Sequence, residues 1–169
     1  MGWFDQLFGT RTDAATDALY AAVVERARAP DWYLEGQVPD TIDGRFDMVS
    51  SILSFVLLRL ERDADAAGPS AKLTEAFVTD MDGQLREIGV GDVIVGKHVG
   101  KMMGMLGGRL GAYRDAMAAG DIEAVVERNI FRGAPPTAAA VSHVAARLNT
   151  FASALAETPT GAILAGQLP

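Results

Sequence analysis

Six aspartates stand where carboxylate chemistry could be done: Asp40, Asp43 and Asp47 around one predicted helix start, then Asp80 and Asp82 before Asp92. Paired carboxylates bind Mg²⁺ and, through it, diphosphates. One reading is therefore a small helical enzyme acting on an isoprenoid or quinone substrate. The spacing argues against it, because residues two apart on a helix diverge by about 200°. The same acids serve as N-caps, as favourable charges at helix N-termini, or as ion-pair partners of Arg45 and Arg86. His98 and His143 are the two histidines and fall on separate predicted helices, too few for a multi-histidine metal site. The absence of Cys excludes a thiolate zinc site, a disulfide scaffold and a Cys nucleophile. No nucleophile elbow, phosphate loop or dinucleotide fingerprint occurs. The residues thus assign no catalytic group, no metal and no cofactor.

Charge narrows the partners. The 169 residues carry 15 Lys and Arg against 22 Asp and Glu, a net charge of −7. Nucleic acid needs a basic surface to displace counterions, so it is not an expected partner. The charge is uneven: residues 93–119 hold four basic residues against one acidic, while residues 1–66 hold six against twelve. A locally basic stretch in an acidic chain can attract an acidic partner or lipid headgroups.

The elements that position these residues are helices. Apolar residues recur at helical spacing and no alternating strand run stands out. A first helix is expected over residues 13–28, ended by Pro30, with Asp31–Gly36 as a loop or short turn. Asp40, three before Asp43, resembles an acidic capping box and opens a second helix through Phe46, Val49, Leu53, Val56 and Leu60. Ala66-Ala67-Gly68-Pro69 breaks it, and Ser70 caps a third through Leu73, Phe77, Met81, Leu85 and Ile88. A fourth runs from Asp92 to about Met117, a short one from Asp121 to Phe131, and a last one from Thr137 to Glu157. The expectation is a single-domain all-α bundle of about six helices over residues 13–157. An apolar N-terminal segment (1–12) and a loose tail (158–169) flank it. The apolar run Val49–Leu60 is too short to span a bilayer, which needs roughly 20 residues, and reads as a core helix. Trp3, Phe4, Leu7 and Phe8 share one side of a short helix that could touch a membrane or fold back on the body. No secretory signal is recognised at the start.

The fourth helix has an unusual composition. Val95, Val99, Met102, Leu106, Leu110, Tyr113 and Met117 make a core stripe. Opposite it lie Gly100, Gly104, Gly108 and Gly111, with Lys97 and Lys101 beside them. Each interior Gly costs about 1 kcal/mol relative to Ala. Either an apolar partner helix docks on this face, another helix of the bundle packs there, or the helix is left flexible.

Two segments are more specific. V-P-D-T-I-D-G-R-F-D-M runs from Val38 to Met48, and F-V-T-D-M-D-G-Q-L-R-E-I-G-V-G-D from Phe77 to Asp92, followed shortly by Gly96-Lys97. Their order and spacing resemble the ubiquinol–cytochrome c chaperone family, assembly factors for cytochrome b of the respiratory cytochrome bc complex. The resemblance extends over about residues 19–117. Gly100, Gly104 and Gly107 replace the polar, Lys-rich and aromatic run usual after the Gly-Lys pair. The resemblance implies a non-catalytic chaperone that binds newly made cytochrome b, works peripherally at the cytoplasmic face of the membrane, and acts with or without a companion factor. Its implied client-facing residues are Tyr33, Asp40, Asp43, Arg45, Asp47, Asp80, Asp82, Arg86, Asp92, Lys97 and Lys101. For the charged ones the alternative is intramolecular: Arg45 and Arg86 could pair with the motif acids and pin the central helices. A structural module retained in the mature complex is a further reading.

Overall fold

In the computed structural model, residues 3–87, 89 and 91–169 are described, with side chains for residues 14–87, 89, 91 and 97–169. Among them the helices are α1 (Trp3–Ala27), α2 (Pro30–Tyr33), α3 (Ile42–Leu60), α4 (Ala67–Glu87), α5 (Asp92–Ala119), α6 (Glu123–Ile130), α7 (Ala138–Glu157) and α8 (Thr160–Leu164), with a 3₁₀ turn at Ala64–Ala66. No strand occurs among the described residues. The six longer helices form the all-α bundle that the periodicity predicts.

α3 is the axis of the molecule. Every residue from 47 to 57 is buried, and a helix that is apolar all round has to be central. It packs against α1, α4, α5, α6 and α7. Its three serines are tolerated because each hydroxyl is bonded. Ser50 donates to the Phe46 carbonyl at 2.7 Å, Ser54 to the Ser50 carbonyl at 2.7 Å, and Ser51 pairs with the Tyr113 hydroxyl at 2.9 Å. Around this axis Phe55 meets Tyr113 with ring centroids 4.8 Å apart, and Phe151 approaches from α7 at 6.5 Å. The short α2 plugs one end: Trp32 is fully buried and donates to the Arg26 carbonyl at 2.8 Å.

Several boundaries differ from the sequence expectation for identifiable reasons. The cap of α3 is Thr41, not Asp40; its hydroxyl accepts from Gly44 N at 3.0 Å. Gly68 and Pro69 do not break the chain before a cap at Ser70. They lie inside the first turn of α4, where the missing proline N–H has no helical partner to lose. α1 runs unbroken from Trp3, so residues 3–12 continue into the first helix; the side chains of Trp3, Phe4, Leu7 and Phe8 lie outside the described residues. Residues 158–169 are not loose either. Ile163 on α8 is fully buried, and a Cβ added at Gly166 would press on the Ala18 carbonyl of α1. No described helix is long and apolar enough to cross a membrane.

Candidate functional site

An open groove of about 500 Å³ runs between the start of α3, the ends of α1 and α4, and the first half of α5. Its floor is apolar: Phe46 and Val49 from α3, Met81 and Leu85 from α4, Met102 and Met105 from α5. Ile42, 78% exposed, stands at its lip. Three methionines make the floor adaptable, since the unbranched thioether fills irregular gaps and repacks around different shapes. Charge rings the floor. Arg28, His98 and Lys101 line the groove with no ion-pair partner among the described residues. Asp43, Arg45, Asp80, Glu87 and Arg132 complete the rim.

Local sequence explains why the groove is shaped this way. The motif turns sharply from Pro39 into α3, and a Cβ on Gly44 would collide with the Pro39 carbonyl. Glycine there lets the loop fold against the first turn and aims Asp43 and Phe46 at the groove. On α4, the Tyr20 hydroxyl of α1 donates to Asp80 at 2.6 Å and Gln84 donates to its other oxygen at 3.1 Å. Burial first, and the Asp80 bond second, push the Tyr20 hydroxyl well above the usual tyrosine pKa. That bond fixes the α1–α4 wall.

Behind the groove lies a buried ionic cluster. Asp47 is 1% exposed and Arg109 6%. Arg109 donates to Asp47 Oδ1 at 2.6 Å, and Arg132 reaches both Asp47 oxygens at 2.7 and 3.2 Å and Asp43 at 3.1 Å. Burial pushes the Asp47 carboxyl above the usual carboxylate range despite both arginines, and pulls the Arg109 guanidinium down. The Asp47 bond instead raises Arg132, which is largely in solvent.

The residues expected to face a partner therefore divide. Asp43, Arg45, Asp80 and Lys101 line the groove. Lys97 is exposed one turn before Lys101. Asp40 is exposed and held 2.7 Å from Arg45, whose bond lowers the Asp40 pKa. Tyr33 is half-buried and donates to the Ala27 carbonyl at 3.0 Å. Asp82 and Arg86 pair with each other one turn apart on α4 at 2.9 Å. Asp47 does not reach the surface at all, and the side chain of Asp92 lies outside the described residues. Arg45 and Arg86 do pair with motif acids, Asp40 and Asp82, each within five residues in sequence, while Arg109 and Arg132 carry the ion pairs to Asp47 that join α3 to α5 and to the turn after α6.

Sequence reasoning missed the groove floor, because methionines at helical spacing read as core, and it missed Arg109 and Arg132, whose partner lies 62 and 85 residues away. The glycine face is resolved in one respect. A Cβ at Gly100, Gly104, Gly107, Gly108 or Gly111 would meet nothing within 4 Å, so no described helix of the bundle packs there. Among the described residues no group of three or more acids and histidines could hold a metal ion.

The profile of the family described as ubiquinol–cytochrome C chaperone matches residues 34–168. Among solved structures, the crystal structure of the Cbp3 homolog from Brucella abortus is similar, with a TM-score of 0.83 and 30% sequence identity over 96% of this chain and 93% of that one. No curated protein matches significantly.

Proposed function

Because this chain belongs to the ubiquinol–cytochrome C chaperone family, we propose that it assists assembly of ubiquinol–cytochrome c reductase by holding newly made cytochrome b in the methionine-floored groove. The observation that carries this reading is the composition of the groove walls. One wall is built from the Val38–Met48 motif and the other from the Phe77–Asp92 motif, which contributes the largely buried Met81, and the half-buried Met102 and Met105 of α5 line the groove beside them. An adaptable apolar floor inside a charged rim suits one face of an amphipathic client segment.

Size limits what is held. A transmembrane helix is about 30 Å long and 10–12 Å across with its side chains, so a 500 Å³ groove takes a few side chains. The client's span stays in the bilayer while a flanking segment is gripped from the cytoplasmic side, which makes the chaperone a peripheral partner of the membrane. Arg28, His98 and Lys101 bias which end of the segment seats where. The chaperone reading needs no catalytic group: of the acids that suggested Mg²⁺, Asp40, Asp43 and Asp47 are engaged with arginines.

Co-purification from cells in which assembly is stalled tests this reading. Cytochrome b is expected with the wild-type chain and absent from it once the complex is finished. A Met102→Asp/Met105→Asp variant with unchanged helical circular dichroism is expected to lose cytochrome b. Retention of the client by that variant rejects the groove.

A further inference from the structure

We propose that a phosphate group binds between α5 and α6, held by Arg109, Arg128 and Arg132. A second, shallower pocket of about 450 Å³ opens there, lined by these three arginines with Asn129, Gly108 and Met105. The guanidiniums come from three segments: Arg109 from α5, Arg128 from α6, and Arg132 from the turn that follows. Asp47 and Asp43 neutralise two of the three charges. Arg128 is exposed and has no ion-pair partner among the described residues, so the pocket keeps one positive charge.

Unspent donors give the sharper signal. Arg109 Nε and Asn129 Nδ2 are buried and have no acceptor among the described residues, and buried polar groups are rarely left so. Arg109 is itself more than nine-tenths buried. The backbone of Arg132 adopts a left-handed φ of +53°, as residues just past a helix C-terminus commonly do, and this turn places its guanidinium beside Asp47 at the pocket. Gly108 keeps open space above its Cα, so a tetrahedral group can approach the helix backbone.

The donor arrangement selects the ligand. Asp47 already takes the two-oxygen role, accepting from both arginines. What remains is the whole Arg128 fork, the N–H groups of Arg132 that bond neither Asp43 nor Asp47, and the unspent donors of Arg109 and Asn129, spread over two helices and the turn after α6. Three or four phosphate oxygens match that spread better than the two of a carboxylate. The C-terminal end of α6 opposes an anion, but its partial charge is smaller than the full charge of Arg128. The phosphate could be free or the phosphodiester of an anionic lipid headgroup. Met105 and Arg132 line both this pocket and the groove, so an acyl chain could lie beside a bound headgroup. The inference does not rest on the function proposed above.

Titration calorimetry of the full chain with inorganic phosphate, and co-sedimentation with phosphatidylglycerol-containing or pure phosphatidylcholine vesicles, test it. The wild-type chain is expected to bind phosphate, and Arg128→Gln to weaken binding about tenfold or more, as loss of a charge-assisted hydrogen bond does. Arg114→Gln removes the same charge from the exposed pair with Glu61 and is expected to leave binding unchanged, which separates local from net charge. Should Arg128→Gln fail to fold, Arg128→Lys keeps the charge but loses the fork and is expected to bind more weakly than wild type. Phosphatidylglycerol binding that free phosphate displaces identifies a headgroup; phosphate binding without vesicle binding identifies a free anion. Absence of phosphate binding overturns the proposal, as does an unchanged affinity in Arg128→Gln or a preference for poly-glutamate over phosphate.

Discussion

The two halves of α5 come from one helical pattern and have opposite surroundings. In the second half, Leu106, Arg109, Tyr113 and Ala116 are buried against α3 and its neighbours. In the first, Lys97, His98, Gly100, Lys101, Met103 and Gly104 are exposed. Both halves carry a stripe of large apolar residues facing the bundle and glycines on the other side. The difference is polar anchorage. Arg109 and Tyr113 each reach a specific partner on α3, Asp47 and Ser51, at 2.6 and 2.9 Å. The first half has no such anchor among its described side chains. Its methionines line the open groove, which the chain's own side chains leave unfilled. A helix can thus be fastened at one end and left available at the other without any change in its helical character.

The largest expected effect breaks the fastened half. Asp47→Ala leaves Arg109 buried without its carboxylate, and removing one member of a buried pair costs about 3–5 kcal/mol. Urea denaturation followed by circular dichroism measures it. Arg109→Met added to Asp47→Ala is expected to recover most of the loss, because two uncharged residues no longer require pairing. Lys101→Ala in the open half is expected to stay within about 0.5 kcal/mol of wild type, as exposed substitutions do. If both single variants cost the same, the contrast between the halves fails.

Alkaline pH should weaken the same half by a smaller amount. Burial is the main cause that pushes the Tyr113 hydroxyl from its ordinary value near 10 up to about 12. A folded-state pKa raised above the unfolded one gives stability that is complete below about pH 10 and lost as pH rises toward 12. Two units correspond to about 2–3 kcal/mol. Tyr20 and Tyr33 are shifted in the same direction, each first by burial. The denaturation midpoint is therefore expected to fall across this window, with tyrosinate absorbance rising only as the fold is lost. Tyrosinate appearing near pH 10 with an unchanged midpoint would contradict the anchorage of Tyr113.

These contrasts show what local pattern can and cannot carry. The run Val49–Leu60 announces a central helix because nothing but burial on all sides suits it, and the expected start of the last helix at Thr137 falls one residue early because Thr137 is its cap, its hydroxyl accepting from Ala140 N at 3.0 Å. Asp47 is different. It lies four residues after Asp43 on the same helical face, so spacing treats the two alike. Yet one turn further along α3, α5 and α6 close over the helix, and the carboxylate meets arginines contributed from distant parts of the chain. The groove was hidden for the converse reason. Met81 and Met102 have the spacing of core residues, and Met81 is indeed buried; only the packing of α4 and α5 shows that the space beside Met102 and Met105 is unfilled. Likewise Pro69 reads as a break, although the first turn of a helix accepts it at no loss.

The smallest effect bears on the open half alone. Gly104 lies on α5, and a methyl placed on its Cα would have nothing within 4 Å, so Gly104→Ala meets no clash. Alanine in a helix interior is favoured over glycine by about 0.8–1.0 kcal/mol, and the variant is expected to be more stable by about that amount, read as a higher urea midpoint. Natural selection has left this stabilisation unused in a chain whose fold does not need the glycine. If the glycine face is where a client backbone approaches closely, the added methyl should raise stability and lower cytochrome b recovery together. Higher stability with full recovery would confine client binding to the methionine groove and leave the glycine row as a device for keeping the first half of α5 less rigid than the second.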